Sequence, residues 1–165
     1  MFVDDISSAS DNSDRRLVAW KLLVGLRPAE NEKVAKDAVV IIVDDDESFR
    51  NAIKRLINAV GFSVKDYASA EEFLISGPVD EVGCLILDVR LPGMSGLELQ
   101  NRLIIDKWQI PTVFISAHAN PNDRARAFEA HAVDFLQKPF TEESLLSAVK
   151  FSLAIHKNGS SDISH

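Results

Sequence analysis

The chain has little of what several classes of protein depend on. Its 165 residues include one cysteine, Cys84, so no internal disulfide can form. A lone cysteine in an apolar run is typical of the core of a protein from a reducing compartment, and we expect a cytoplasmic location. Four histidines and one cysteine supply no pair with the spacing of a zinc site. No apolar run approaches the roughly 20 residues of a membrane helix, so no membrane partner is expected.

An excess of positive charge is also missing. The chain has 18 Lys and Arg against 25 Asp and Glu, and its net charge of −7 argues against direct nucleic-acid binding. A hydrophobic fraction of 46% is enough for one full core. The apolar segment 17–26 follows two arginines, but Lys21 interrupts it and four acids precede it. We therefore expect no signal peptide.

The composition divides the chain into three parts. Residues 1–37 are predicted to be an N-terminal extension that is partly disordered, with a short helix over 15–27 that Pro28 ends. Residues 38–156 are predicted to form one domain, and residues 157–165, rich in Ser, to form a flexible tail. The sequence leaves open whether the extension packs on the domain or contacts a partner.

Apolar strands alternate with amphipathic helices through the central domain. Strands are predicted at 38–43, 62–67, 84–87, 112–115 and 133–137, and a helix follows each one. Helix starts are indicated by Ser69 with Glu72, by Ser95 with Glu98, and by Thr141. This alternation predicts an α/β fold: a doubly wound, five-stranded parallel sheet with helices on both faces, a three-layer sandwich.

Polar residues follow four of the five predicted strands. They are Asp44, Asp45 and Asp46 after the first strand, Asp88 after the third, Ser116 after the fourth and Lys138 after the fifth. The carboxyl ends of parallel strands meet at one edge of a sheet, so these side chains should converge. Clustered carboxylates raise one another's pKa, and a hard cation with oxygen ligands, such as Mg²⁺, relieves that repulsion. Together with a lysine for phosphate oxygens, the set points to phosphoryl transfer onto Asp88.

Each of these residues alone has an ordinary structural role. An acidic triplet often caps a helix, Ser116 would serve as a turn residue, and Lys138 as a surface charge. Only their joint placement at four strand ends indicates a functional site.

The motifs at these strand ends resemble one family. They are Val43-Asp44-Asp45-Asp46-Glu47, the segment Leu87–Gly96, Ile115-Ser116-Ala117 and the segment Asp134–Phe140. Over residues 38–155 the chain resembles the receiver domain of bacterial two-component response regulators, which has the CheY-like, flavodoxin-like fold. The resemblance is greatest to receivers that feed helix-turn-helix transcription regulators, although these 165 residues contain no such output domain.

The resemblance implies a role for each acid of the site. Asp88 would accept a phosphoryl group from a phosphohistidine on a sensor histidine kinase. Asp45, Asp88 and the main-chain carbonyl of Arg90 would ligate Mg²⁺, and Asp44 would act through a bound water.

The resemblance also implies which residues hold the phosphoryl group. Lys138 would pair with the carboxylate and then with a phosphate oxygen, next to Ser116 and Ala117, and the Lys138–Pro139 bond would be cis. Ser116 would move toward the phosphate and let the ring of Phe135 turn inward. Ser116 stands where Thr is more frequent and Phe135 where Tyr is also common, which could change the coupling to output. Two further residues, Arg90 and His118, would set the lifetime of the phosphoryl group.

The implied function is a phosphoacceptor signalling switch, not an enzyme beyond its own phosphotransfer and dephosphorylation. It would change partner binding through the face made by the fourth helix, the fifth strand and the fifth helix. An unknown output protein, or a second copy bound through that face, would be the partner.

Two other functions stay open at this point. The spacing Asp44-x-Asp46-x-Ser48 resembles the nucleophile motif of haloacid-dehalogenase phosphohydrolases, but those enzymes need a further acidic pair on a strand after the lysine. Only Glu142 and Glu143 follow here, at a helix start. The other alternative is a docking module that works without phosphorylation.

Overall fold

The computed structural model describes residues 38–76, 81–118 and 120–163, with side chains as far as His156. Five strands alternate with five helices in these residues. They are β1 (Val39–Val43), α1 (Glu47–Ala59), β2 (Ser63–Tyr67), α2 (Ala70–Ser76), β3 (Val82–Asp88), α3 (Gly96–Ile105), β4 (Thr112–Ser116), α4 (Pro121–Glu129), β5 (Asp134–Gln137) and α5 (Glu142–Ile163). The predicted α/β alternation is confirmed. The predicted helix over 15–27 and the rest of the extension lie outside the described residues.

The sheet is parallel throughout, with the strand order β2-β1-β3-β4-β5. From β1 the chain moves outward to β2 and then returns to β3 on the other side of β1. A crevice therefore opens between the carboxyl ends of β1 and β3, where such sheets bind ligands. Val43 of β1 pairs with Leu87 of β3 in the register, so the residues that come next, Asp44 and Asp88, lie side by side.

Side chains alternate between two apolar layers because successive residues of a strand point to opposite faces. Val40 and Ile42 of β1 belong to the core shared with α1 and α5. Ile41 and Val43 belong to the core shared with α2, α3 and α4. β3 is buried along its whole length, as expected for the central strand of a parallel sheet. The predicted three-layer sandwich is confirmed.

The predicted helix starts are also confirmed. The Ser95 hydroxyl accepts from the Glu98 N–H at 3.2 Å, and the Glu98 carboxylate accepts from the Ser95 N–H at 2.8 Å. At α2 the Ser69 hydroxyl accepts from the Glu72 N–H at 3.1 Å. Thr141 accepts from the N–H three residues into α5 at 3.0 Å. These side chains satisfy amide groups that have no partner inside the helix.

The carboxyl end of the domain differs from the expectation. The sequence predicts a flexible tail from residue 157, but α5 continues without a break to Ile163. Adding a residue to an existing helix costs far less than starting one, so a polar segment can extend it. No helix among the described residues is both long enough and apolar enough to span a membrane.

Candidate functional site

The three acids after β1 have three different environments. Asp44 is fully buried; its Oδ2 accepts from the Lys138 ammonium at 2.9 Å and its Oδ1 from the Asp46 N–H at 2.8 Å. Asp45 has an exposed side chain. Asp46 caps α1 by accepting from the Phe49 N–H at 3.2 Å. The capping role expected of such a triplet therefore belongs to Asp46, and Asp44 and Asp45 remain available to the crevice.

Asp88 is 7% exposed at the carboxyl end of β3. Its Oδ1 accepts from the Arg90 N–H at 2.9 Å, and its Oδ2 lies 3.5 Å from the Lys138 ammonium. Burial and the neighbouring Asp44 carboxylate raise the pKa of Asp88 from 3.8 to about 6, although the Arg90 N–H and the lysine oppose that rise. The Asp88 carboxylate is therefore costly to ionise without a further positive charge beside it.

Asp44, Asp45 and Asp88 form a donor set suited to a hard cation. One carboxylate oxygen from each of the three lies within 4.8 Å of the other two. Oxygen donors of this kind fit Mg²⁺, and a bound cation would offset the repulsion between Asp44 and Asp88. The residues that the sequence predicts for metal binding are thus brought together.

Lys138 extends from the end of β5 into the same crevice, and the Lys138–Pro139 peptide bond is cis. Its ammonium lies 3.9 Å from the ring centre of Phe49, and that ring meets Phe140 edge to face. Burial alone would lower the pKa of Lys138, but Asp44 and Asp88 outweigh burial and raise it. Sequence reasoning missed the contact with Phe49, because the helical spacing of that residue indicated only a core position.

Ser116 is the last residue of β4, and Phe135 lies within the neighbouring strand β5. The buried Ser116 hydroxyl donates to the His118 carbonyl at 2.9 Å and accepts from the His118 N–H at 3.2 Å. Ala117 and His118 themselves are exposed. Phe135 is 4% exposed in the core shared with α4, and its ring centre lies 5.8 Å from the Arg124 guanidinium. The ring of Phe135 is therefore buried while the Ser116 hydroxyl is hydrogen-bonded within its own loop.

Arg90 connects Asp88 to α4. Its N–H is bonded to Asp88, and its guanidinium lies 3.2 Å from a carboxylate oxygen of Asp123 in the first turn of α4. Arg90 also lines a shallow surface depression with His118 and Asn120. No local pattern in the sequence indicated a role for Asp123 beyond its place at a helix start.

Arg50 supports the turn after β1 and was also missed. It donates to the Asp44 carbonyl at 2.7 Å and pairs with Asp66 of β2 at 3.0 Å. Lys54 lies 3.0 Å from the other oxygen of Asp66. Although burial raises the pKa of Asp66, the lysine and the arginine outweigh it and lower that pKa. Arg50 thus ties the acidic turn to the neighbouring strand, and Lys54 adds a second link between α1 and that strand.

Glu71 supports the loop after Asp88. Its carboxylate accepts from the Met94 N–H at 2.6 Å, and this bond lowers the pKa of Glu71. A Cβ at Gly93, which has a φ of +74°, would lie 2.6 Å from the same carboxylate. The first turn of α2 therefore holds the turn that leads into α3.

The acidic pair that a haloacid-dehalogenase phosphohydrolase requires is not formed by the described residues. Glu142 and Glu143 are exposed in the first turn of α5, and no described strand follows β5.

Known proteins share the sequence pattern and the fold of this chain. Residues 40–150 match the family model described as the response regulator receiver domain. Response regulator protein TmoT of Ectopseudomonas mendocina is 42% identical over 120 residues, which cover 73% of this chain and 54% of that protein. The chain spans about half the length of the curated relatives it matches.

Two solved structures extend the comparison to the backbone. Response regulator StyR aligns with a TM-score of 0.73 and 39% identity, over 77% of this chain and 64% of that one. The structure named FixJ-N aligns with a TM-score of 0.67 and 37% identity, over 72% and 94% of the two chains. Both alignments confirm the fold that the motifs predict.

Proposed function

The chain belongs to the response regulator receiver family, and from that premise we propose that Asp88 is the residue that accepts a phosphoryl group. Receiver domains act as phosphoacceptor signalling switches, as the sequence motifs predict for this chain. The observation that best supports Asp88 is the convergence of Asp44, Asp45 and Lys138 on its carboxylate. The phosphoryl donor is a phosphohistidine of a sensor histidine kinase.

The proposed cofactor is Mg²⁺, held by Asp45, Asp88 and the main-chain carbonyl of Arg90. Both carboxylate oxygens of Asp44 already accept hydrogen bonds, from Lys138 and from the Asp46 N–H, which supports an action through water. Asp45 is exposed and free to turn toward the crevice. A bound Mg²⁺ would neutralise charge on the phosphoryl oxygens during transfer.

The reacting groups of the chain are Asp88 and Lys138. Lys138 lies closer to Asp44, at 2.9 Å, than to Asp88, at 3.5 Å, which leaves the Asp88 oxygen free to attack phosphorus. The new oxygen–phosphorus bond forms as the nitrogen–phosphorus bond of the phosphohistidine breaks, and the imidazole takes a proton from solvent. The ammonium of Lys138 then pairs with a phosphoryl oxygen as a point charge.

The proposed switch begins at Ser116. To bond the phosphoryl group beside the Ala117 N–H, its hydroxyl must give up two hydrogen bonds with His118. Phe135 is already buried, so the switch changes how its ring packs against α4 and does not have to bury it. This repacking would reach the face of α4, β5 and α5. Arg90 and His118, at the crevice rim, are proposed to set the phosphoryl lifetime.

Family membership implies a kinase and an output domain or output protein as partners. Neither is identified by this sequence. A homodimer through the face of α4, β5 and α5 is a further proposal. The buried free thiol of Cys84 supports a location in the reducing cytoplasm.

Phosphorylation by a small phosphodonor in Mg²⁺ tests the proposal. We expect the wild-type chain to gain one phosphoryl group by intact-mass measurement, and chelation of the metal to abolish the gain. The Asp88→Asn variant should gain none, and Asp46→Asn, which alters only the α1 cap, should behave like the wild type. Continuous turnover of a phosphomonoester that survives Asp88→Asn would instead favour a phosphohydrolase.

A further inference from the structure

We infer that Asp123 is a positioning residue, which holds the guanidinium of Arg90 on α4 and away from a phosphoryl group on Asp88. The inference rests on the proposed phosphorylation of Asp88. It assigns to Asp123 an effect on phosphoryl binding although its carboxylate does not touch the acceptor.

Arg90 contacts the acceptor and α4 at the same time. Its main-chain N–H donates to Asp88 Oδ1 at 2.9 Å, which fixes its Cα close to the carboxylate that would be phosphorylated. Its guanidinium Nη2 reaches Asp123 Oδ2 at 3.2 Å, 33 residues further along the chain. Any change in charge at Asp88 therefore acts on a side chain that is tied to the first turn of α4.

The two members of this ion pair differ in exposure. The Asp123 side chain is 10% exposed, whereas that of Arg90 is 57% exposed. The carboxylate also lies in the first turn of α4, where the helix amides favour negative charge and support it when the arginine leaves. When the contact opens, Arg90 is therefore the side chain that moves.

A phosphoryl group on Asp88 competes with Asp123 for Arg90. It adds negative charge and oxygen acceptors, and the guanidinium presents planar donors that match phosphate geometry. Because the guanidinium of Arg90 is more than half exposed and the helix amides support the carboxylate of Asp123, the competition needs only a modest gain at the new site. Arg90 then leaves Asp123, and the tie between the loop after β3 and α4 is lost.

The other end of α4 is held differently. The Gln100 side-chain amide donates to the Ala130 carbonyl at 3.0 Å, and its oxygen accepts from the Thr112 hydroxyl at 2.9 Å. Gln100 and Thr112 are both buried, so these bonds do not depend on charge at the crevice. Release of Arg90 thus loosens only the end of α4 that lies next to Ser116 and the phosphoryl site.

A double-mutant cycle with beryllofluoride, a phosphoryl mimic, tests this role in the full chain with Mg²⁺. Asp123→Asn should bind beryllofluoride about two- to fivefold more tightly than the wild type, because Arg90 no longer has to leave a carboxylate. Arg90→Gln should bind more weakly than the wild type. Adding Asp123→Asn to Arg90→Gln should then change nothing, and the conservative Asp123→Glu should restore wild-type affinity.

The matched control is Asp106→Asn on α3. The Arg102–Asp106 pair has the same 3.2 Å separation and an arginine with the same 57% exposure, but Arg102 has no contact with Asp88. This control should bind beryllofluoride like the wild type. Amide hydrogen exchange adds a second readout: the first turn of α4 should exchange faster in Asp123→Asn without ligand, and in the wild type only with beryllofluoride.

Two results would overturn the inference alone, and a third would overturn the proposed function as well. Equal effects of Asp123→Asn with and without Arg90 would show an ordinary stabilising role for the carboxylate. Unchanged affinity in Asp123→Asn would show that the pair does not compete with the ligand. A wild-type chain that binds no beryllofluoride would overturn the proposed function and this role together.

Discussion

Replacing Asp88 by asparagine should make the metal-free protein more stable at neutral pH, although the change removes the proposed acceptor. Asp88 is buried beside the carboxylate of Asp44, and the pKa of Asp88 is raised from 3.8 to about 6. The ionised side chain therefore costs folding free energy that a neutral amide of the same shape does not. The amide oxygen can still accept from the Arg90 N–H.

The size of the effect follows from the raised pKa. A tenfold change in proton affinity corresponds to about 1.4 kcal/mol, so a rise from 3.8 to about 6 costs about 3 kcal/mol at neutral pH. Since Asp88 keeps some contact with water, we expect about 2 kcal/mol.

The size of the effect depends on pH within a defined window. Below about pH 4 both the folded and the unfolded chain bind the proton, and Asp88 costs nothing. Between about pH 4 and 6 the unfolded chain ionises first, so the wild type loses stability as pH rises; above about pH 6 the loss is complete. The advantage of Asp88→Asn should be about half as large at pH 5 as at pH 7.

Urea unfolding with a chelator, at pH 5 and pH 7, measures this difference. The exposed Asp45, changed to Asn, serves as the control and should have little effect. Excess Mg²⁺ should reduce or reverse the stability advantage of Asp88→Asn, because an ion that binds the folded wild type stabilises it. A variant less stable than the wild type at pH 7, or an advantage that does not depend on pH, would refute the reasoning.

Three further substitutions have defined outcomes. Lys138→Met removes a charge that lowers the pKa of Asp88, so NMR titration should give a still higher pKa and beryllofluoride binding should weaken at least tenfold. Gly96→Ala puts a Cβ against the main-chain carbonyl of Asp88; calorimetry should show a loss of about 1–3 kcal/mol, and no loss would contradict the close contact. Gln100→Leu removes the amide that donates to the Ala130 carbonyl, whereas the Thr112 hydroxyl keeps its bond to the Ile110 carbonyl; urea unfolding should show a loss of about 1–3 kcal/mol, and a neutral change would mean that the site repacks.

Much of the fold could be predicted because its signals are local. The strands are short apolar runs in the sequence, and the capping pairs mark where helices begin. The meeting of Asp44, Asp88 and Lys138 at one sheet edge could also be predicted, because parallel strands share their carboxyl ends. α5 extends to Ile163, into the segment where the sequence predicts a tail, and propagation of a helix through polar residues leaves no local signal.

The supporting contacts could not be predicted because they join distant parts of the chain. Arg90 and Asp123 are 33 residues apart, and Arg50 of α1 meets Asp66 of β2, which lies 16 residues further along the chain. Which of three adjacent aspartates is buried and which caps a helix depends on how the turn after β1 is folded, and spacing alone does not fix that. The roles proposed for Ser116 and Phe135 stay predictions because they describe a change between two states.

Chemical mapping of the phosphorylated residue is the most direct test of whether Asp88 accepts the phosphoryl group. Borohydride reduces an aspartyl phosphate to homoserine, which peptide mass spectrometry locates after phosphorylation in Mg²⁺. We expect homoserine at Asp88 alone, and none when the metal is chelated. Homoserine at Asp44 or Asp45, or a phosphoryl group on any other residue, would contradict it.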